Sequence, residues 1–333
     1  SKQSRGLGDV YKRQVKKIIT AKHRGFCAGV ERAVEMVEKS LTKYGAPVYV
    51  RHEIVHNKFV VNNLREKGVV FVDSLEEIPK NTKQPVIFSA HGVAQRVINK
   101  AKDYNLLFYD AICPLVSKIH KEIIQLENNE YKIIMIGHEH HPEVDGTAGQ
   151  LKDISNLTLV QDIDDVDKLY FPSSQKLAYI TQTTLSVFDT QDIVDALEKK
   201  YPSILAPKKS DICYATSNRQ LSVQEMSKNV DAFFVIGAHN SSNSIRLVET
   251  AKRFGCKYSE LIENINDFDY STLAEFNTIG LTASASAPEE QLNMFIDQIK
   301  KVYAIEVLNF KEDENITFKT VSYTHLRAHE TAC

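Results

Sequence analysis

Long apolar runs are missing from this 333-residue chain. A membrane-crossing helix needs about 20 consecutive apolar residues. The stretch Ala232-Phe233-Phe234-Val235-Ile236-Gly237-Ala238 is far shorter. The N-terminus is charged and lacks the apolar core of a secretory signal, so a cytoplasmic location and no membrane partner are expected. Excess charge is missing too. A net charge of −2 gives no global basic field for nucleic acid, so an anion must be met by a local site. Closely paired cysteines are absent. The five present, Cys27, Cys113, Cys213, Cys256 and Cys333, are odd in number and widely spaced. With no C-x-x-C, this argues against a disulfide framework, a zinc ribbon and thioredoxin-type chemistry. Neither G-x-G-x-x-G nor G-x-x-x-x-G-K-[ST] occurs, so no nicotinamide or ATP site is signalled.

What is there is an ordinary globular composition, 43% apolar and 25% charged. Strand-like runs such as "VVFV", "YKIIMIG", "KLAYITQ" and "DAFFVIGA" alternate with helix-like runs such as "GVAQRVINKAKDYN" and "SVFDTQDIVDALEKKYP". That alternation predicts an α/β fold with mainly parallel sheets. Residues 1–14 and 321–333 fit neither flanking pattern and read as foreign to the domain. Cys333 is set aside with them.

Three cysteines share a context. Cys27, Cys113 and Cys213 each follow a strand-like run and open a helical one, and Pro114 takes the favoured first helical position. The expected organisation is three similar α/β units, 15–112, 113–212 and 213–290, with one such thiol in each. A helix and strand over 291–320 should pack back on the body. Cys256 lies after its helix and reads as a small core residue. A helix N-terminus favours a thiolate. Three such thiols suit an iron–sulfur cluster with one open iron, or a catalytic zinc. Taken singly, each also fits an inert buried cysteine.

Polar clusters follow strand-like runs as well. "FSAHG" carries His91, "IGHEHHPEVDGT" carries His138, His140, His141 and Glu143, and "ITQTTLS" carries Thr183. "IGAHNSSNS" carries Asn240 to Ser244, and "LTASASAPEE" carries Ser284 and Ser286. Ligands of open α/β sheets bind beyond the carboxyl ends of strands. One Ser or Asn suffices for a helix cap, so the run 240–244 exceeds that need and suits phosphate oxygens. A carboxyl group such as Glu143, if buried, is a candidate proton donor. Residues 52–56, "HEIVH", match the zinc-hydrolase pattern H-E-x-x-H, which requires a helix. Here the context is β-rich, and His56 is the better ligand candidate.

The segments "RGFCAGVERA", "YVRHEIVHN", "FSAHGV", "CPLVSKIH", "HPEVDGT", "TQTTLS", "DICYATSNRQ", "NSSNS" and "SASAP" resemble, in order, the LytB-type family of 4-hydroxy-3-methylbut-2-enyl diphosphate reductases. The likeness runs from about residue 16 to about 319. It implies a trefoil of three α/β units around a central iron–sulfur site. The cluster is four-iron–four-sulfur in its active form, and is prone to become three-iron–four-sulfur or to be lost on isolation. Its ligands would be Cys27, Cys113 and Cys213. The implied reaction, in the methylerythritol phosphate pathway of isoprene biosynthesis, removes the substrate's hydroxyl with two single electrons from a ferredoxin or flavodoxin. Isopentenyl and dimethylallyl diphosphate are the products. By the same match, His56, His91, His141, Ser241, Ser242, Asn243 and Ser286 hold the diphosphate. Glu143 delivers protons and Thr183 orders the hydroxyl or a nearby water. His138, Glu139 and His140 receive no role. A monomer or weak dimer is expected. The rival readings are a zinc hydrolase using "HEIVH", and a non-enzymatic iron–sulfur sensor or diphosphate-binding module.

Overall fold

The structure is a computed structural model that describes residues 15–319. The two segments read as foreign, and Cys333, lie outside the described residues.

The chain begins with β1 (Lys16–Thr20) and α1 (Ala28–Tyr44). A first sheet follows, with β2 (Val48–Arg51), α2 (Lys58–Glu66), β3 (Val69–Val72), β4 (Val86–Phe88), α3 (Gln95–Asp103) and β5 (Phe108–Asp110). Helix α4 (Pro114–Asn128) leads to a second, with β6 (Lys132–Ile136), α5 (Pro142–Ala148), β7 (Leu157–Val160), α6 (Ile163–Lys168) and β8 (Leu177–Thr181). Then come α7 (Val187–Lys200) and α8 (Tyr214–Ser227). The third sheet takes β9 (Ala232–Ile236), α9 (Ser242–Arg253), β10 (Tyr258–Ile262), β11 (Thr278–Ala283), α10 (Glu289–Val302) and β12 (Ile305–Asn309).

The sequence explains these elements locally. Strands β8 and β9, "LAYIT" and "AFFVI", are buried at every position. Strands covered on both faces need such unbroken apolar runs. Helix α10 buries Leu292, Phe295, Ile296 and Ile299, a stripe at helical spacing. Glu289 and Glu290 sit in its first turn and Lys300 and Lys301 in its last, each matched to the helix dipole.

Every pairing between these strands is parallel. The sheet orders are β3-β2-β4-β5, β7-β6-β8 and β10-β9-β11-β1-β12. Each contains one repeated pattern: the chain leaves its first strand to one side, then returns to the other. The point of reversal lies between β2 and β4, between β6 and β8, and between β9 and β11. Ligands of open α/β sheets bind at such switch points, and this trefoil-like α/β fold has three.

Sheet membership cuts across the division expected from sequence. Strand β1, grouped there with 15–112, pairs with β11 and β12 in the third sheet. Strand β12 forms the edge of that sheet beside β1.

Candidate functional site

The loops leaving the three switch points carry the polar residues singled out above. His56 follows β2 and His91 follows β4. His141 and Glu143 follow β6, and Thr183 follows β8. Ser241, Ser242 and Asn243 follow β9, and Ser286 follows β11. All of them line one cavity together with Cys27, Cys113 and Cys213. It encloses about 710 Å³ of empty space out to its mouth.

The three thiols are presented by one repeated device. Cys27, Cys113 and Cys213 are the N-caps of α1, α4 and α8, each with extended backbone. Each carbonyl accepts the first helical bond, from Glu31, Ser117 and Ser217. Each N–H donates to a switch-point loop: Cys27 to Ala285 O at 3.3 Å, Cys113 to Ala90 O at 2.9 Å, Cys213 to Thr183 O at 3.1 Å. A thiol is thereby registered against a loop that carries a polar residue of the cavity. Cys213 differs in one respect. No strand directly precedes it; the preceding loop meets β8 through an isolated bridge of Leu205 to Ala178 and through Asp211 Oδ2, which accepts Thr181 N–H at 3.1 Å.

A second device closes the ring. Arg32 of α1 donates to Ile112 O at 3.0 Å, just before Cys113. Lys118 of α4 meets Asp211 Oδ1 at 3.1 Å, just before Cys213. Arg219 of α8 donates to Gly25 O at 2.8 Å, just before Cys27. Each thiol helix thus holds the approach to the next thiol. The packing is tight: a Cβ on Gly29 would lie 2.7 Å from Cys113 Sγ and 3.8 Å from Cys27 Sγ. Only glycine leaves room for both.

Burial opposes the thiolate form at two of the three cysteines. It pushes the Cys113 thiol up to about 12 and that of Cys213 to about 11, with Cys27 adding like-charge repulsion in both. Desolvation outweighs the helix dipole here.

The histidines are close together. The rings of His56 and His91 stack at 4.2 Å, and His141 lies edge-on at 5.9 Å and 6.0 Å. Burial, then His56 and His138, holds His141 down to about 3. Burial and the neighbouring imidazoles hold His91 well below its ordinary value. His141 Nδ1 accepts the Glu143 N–H at 3.2 Å, so its neutral ring carries the proton on Nε2.

Glu143 is 2% exposed. Thr183 N–H donates to its Oε1 at 2.6 Å and Thr183 Oγ1 to its Oε2 at 2.8 Å. Burial nevertheless raises its carboxyl to about 7, with Asp211 adding to the rise. At the third switch point Ser241 Oγ caps Ser244 N–H, Ser242 Oγ donates to Thr184 O, and Asn243 Oδ1 accepts Ala285 N–H. Ser286 Oγ lies 3.4 Å from Ser241 Oγ. Asn243 Nδ2 and His56 Nε2 are buried without a hydrogen-bond partner. Buried polar atoms are rarely left so, and both line the cavity.

Residues 52–57 form no helix, and His52 has φ 60°. His52 pairs with exposed Asp73 while His56 enters the cavity, so the two histidines of "HEIVH" share no helical face. His138, Glu139 and His140 line an outer hollow that adjoins the cavity at His56, His141 and Ser242. Cys256 is buried, as expected. Three contributors escaped the sequence reading: Arg32, Lys118 and Arg219. Their common signal is a basic residue five or six places after each cysteine.

The family model for the LytB protein matches residues 18–300. A 4-hydroxy-3-methylbut-2-enyl diphosphate reductase of Histophilus somni is 48% identical over 305 residues, covering 91% of this chain and 96% of its own. That of Roseobacter denitrificans is 51% identical over 298 residues, covering 89% and 93%. A solved structure of the E-1-hydroxy-2-methyl-but-2-enyl-4-diphosphate reductase from Plasmodium falciparum superposes with a TM-score of 0.86 at 36% identity, covering 92% of this chain and 95% of that one. With the match spanning all three sheets and all three thiols, the chain belongs to the LytB family of reductases.

Proposed function

We propose that the protein reduces 4-hydroxy-3-methylbut-2-enyl diphosphate to isopentenyl and dimethylallyl diphosphate, using an iron–sulfur cluster held by Cys27, Cys113 and Cys213. One observation carries this reading: three convergent thiols line the same cavity as a cluster of His, Ser and Asn side chains, in which His56 Nε2 and Asn243 Nδ2 are buried without a partner. The donor set fits the cluster. Soft sulfur ligands from three separate helices leave one coordination position free. Among the described residues, no three His, Cys, Asp or Glu side chains are arranged to share a single metal ion. Thiols delivered from three separate helices suit a larger polynuclear guest, and a positive guest offsets the burial that disfavours the thiolates of Cys113 and Cys213.

When bound, the cluster supplies single electrons and an open iron that polarises a hydroxyl oxygen. The chain supplies the rest. His56, His91 and His141, with Ser241, Ser242, Asn243 and Ser286, bind and orient the diphosphate through N–H and O–H donors. His141 offers Nε2–H because its Nδ1 is engaged by Glu143 N–H. Glu143, at about 7, holds a proton near neutrality and can release it. Thr183 bridges that carboxyl and the substrate's hydroxyl. The electron donor is a ferredoxin or flavodoxin.

The test is anaerobic reconstitution, followed by assay of the hydroxylated diphosphate with a reduced one-electron donor. We expect a brown protein with iron and acid-labile sulfide in cluster stoichiometry, and both products. Stoichiometric zinc without sulfide would overturn the reading.

A further inference from the structure

Just past the three cysteines, the thiol helices stop matching. The third helical residue of α1, α4 and α8 is Val30, Val116 and Thr216. Each lies three places after its cysteine, and all three line the cavity. Valine and threonine share a branched outline, so the positions differ in one group. Two carry a methyl where the third carries a hydroxyl. Neither valine side chain can donate a hydrogen bond.

Cys213 stands apart a second time for this reason. Thr216 Oγ1 lies 3.2 Å from Cys213 Sγ, and Thr216 N–H donates to the same sulfur at 3.4 Å. Thr216 is fully buried, and among the described residues its hydroxyl meets no other partner. A free thiol can donate to that hydroxyl. A metal-bound thiolate has no proton, so there the hydroxyl must donate to the sulfur. Cys213 N–H donates to Thr183 O at 3.1 Å, and Thr183 in turn donates twice to Glu143. The hydrogen-bonded sulfur thus belongs to the ligand that is tied to the proton donor's loop.

We propose that the Thr216 hydroxyl, by bonding to Cys213 Sγ, raises the reduction potential of the cluster held by the three thiols. A hydrogen bond to a ligand sulfur draws charge from it. That favours the reduced state, which carries one more negative charge. The step concerned moves one electron from the one-electron donor, which is oxidised, to the bound cluster, which is reduced. No covalent bond changes and no proton is transferred. Thr216 is a positioning residue, since it acts only through Cys213. The proposal rests on the cluster reading of the cavity given above.

The test is an anaerobic potentiometric titration of the reconstituted protein, followed by electron paramagnetic resonance. Thr216→Val makes the third helix like the other two. It should shift the one-electron equilibrium about five- to tenfold toward the oxidised form, the scale of one hydrogen bond. That is a fall of about 40–60 mV, at about 59 mV per tenfold for one electron. Iron and sulfide content should stay at the parent level, which separates tuning of the potential from lost structure. Thr216→Ser keeps the hydroxyl and should stay within about twofold of the parent. Val116→Thr places a hydroxyl at the equivalent position after Cys113 and should move the equilibrium about fivefold the other way. It decides the matter if Thr216→Val holds no cluster. A Thr216→Val potential equal to the parent's would overturn the role of Thr216 alone. So, where that variant holds no cluster, would a Val116→Thr potential equal to the parent's. A parent that binds no iron and sulfide would overturn the cluster reading as well.

Discussion

Thiols and imidazoles line the same cavity as two trios, and burial acts on them in opposite senses. It drives Cys113 up to about 12 and Cys213 to about 11, while it drives His141 down to about 3. The physical cause is one: low dielectric penalises whichever form is charged. Two members of each trio are thereby pushed toward the neutral form, Cys113 and Cys213 among the thiols and His91 and His141 among the imidazoles. The trios differ in how they are built. The thiols repeat one device three times, with the same cap geometry, the same backbone tether and the same basic clamp. The imidazoles do not repeat. Only His56 has a carboxylate partner.

The largest effect should come from breaking the thiol trio. Cys113→Ala removes one of three metal ligands and should lower iron and sulfide content, and with it turnover, by at least about a hundredfold, since metal affinity rests on every ligand. Cys256→Ala should change neither, because that thiol is buried against the Val230 and Tyr258 carbonyls. Equal metal content in the two variants would dissolve the distinction between cavity thiols and core thiols.

Glu143→Gln comes next. The amide keeps the Thr183 contacts in outline but has no proton to give. Turnover should fall about 10²- to 10³-fold, the range for loss of a general acid, with the cluster's absorbance intact. Unchanged turnover would remove Glu143 from the proton path.

Arg219→Met probes the clamps. This guanidinium is 1% exposed and satisfies the carbonyls of Gly25 and Ala215. Deleting it should cost about 3 kcal/mol in denaturant unfolding, because buried acceptors and Glu314 lose their partner. Lys118→Ala, cut from a side chain 43% exposed but paired with the buried Asp211 carboxylate, should cost less, about 1–2 kcal/mol. Similar costs would mean that the clamps do not act through burial.

Much of this was legible in the sequence, for definable reasons. Helix starts at Cys27, Cys113 and Cys213 follow from local periodicity, and Pro114 marks one outright. The run from Asn240 to Ser244 advertised more polar capacity than a cap needs. Sheet order was not legible: nothing in "KKIIT" says that its neighbours are residues 278–283 and 305–309. The strands "LTLV" and "YSELI" are only partly buried, so their patterns are weak. Two opposing influences act on the thiols of Cys113 and Cys213, and only one of them is legible in sequence. The helix dipole is visible in sequence, whereas burial is a property of the assembled fold. The pairing of Glu53 with His56 escaped for a similar reason, since the loop 52–57 has no regular period to read.

The smallest effect concerns acid stability, and it sets an imidazole against a carboxyl. His141 falls from an ordinary 6.5 to about 3 on folding. Its contribution is therefore complete above pH 6.5 and is lost as pH falls toward about 3, because the unfolded chain binds the proton first. Glu143 rises from 4.5 to about 7, so its contribution is complete below 4.5 and is lost as pH rises through 7. Between pH 6.5 and 5.5 the two nearly offset each other in the parent protein. Removing either should expose the other. His141→Gln should lose about 1 kcal/mol less than the parent across that interval, and Glu143→Gln about 1 kcal/mol more, at a slope limited to about 1.4 kcal/mol per pH unit for one proton. Urea unfolding at the two pH values, without added diphosphate, measures both. If His141→Gln and the parent fall equally, burial does not hold that imidazole neutral. The mirror relation between the trios would then survive only on the thiol side.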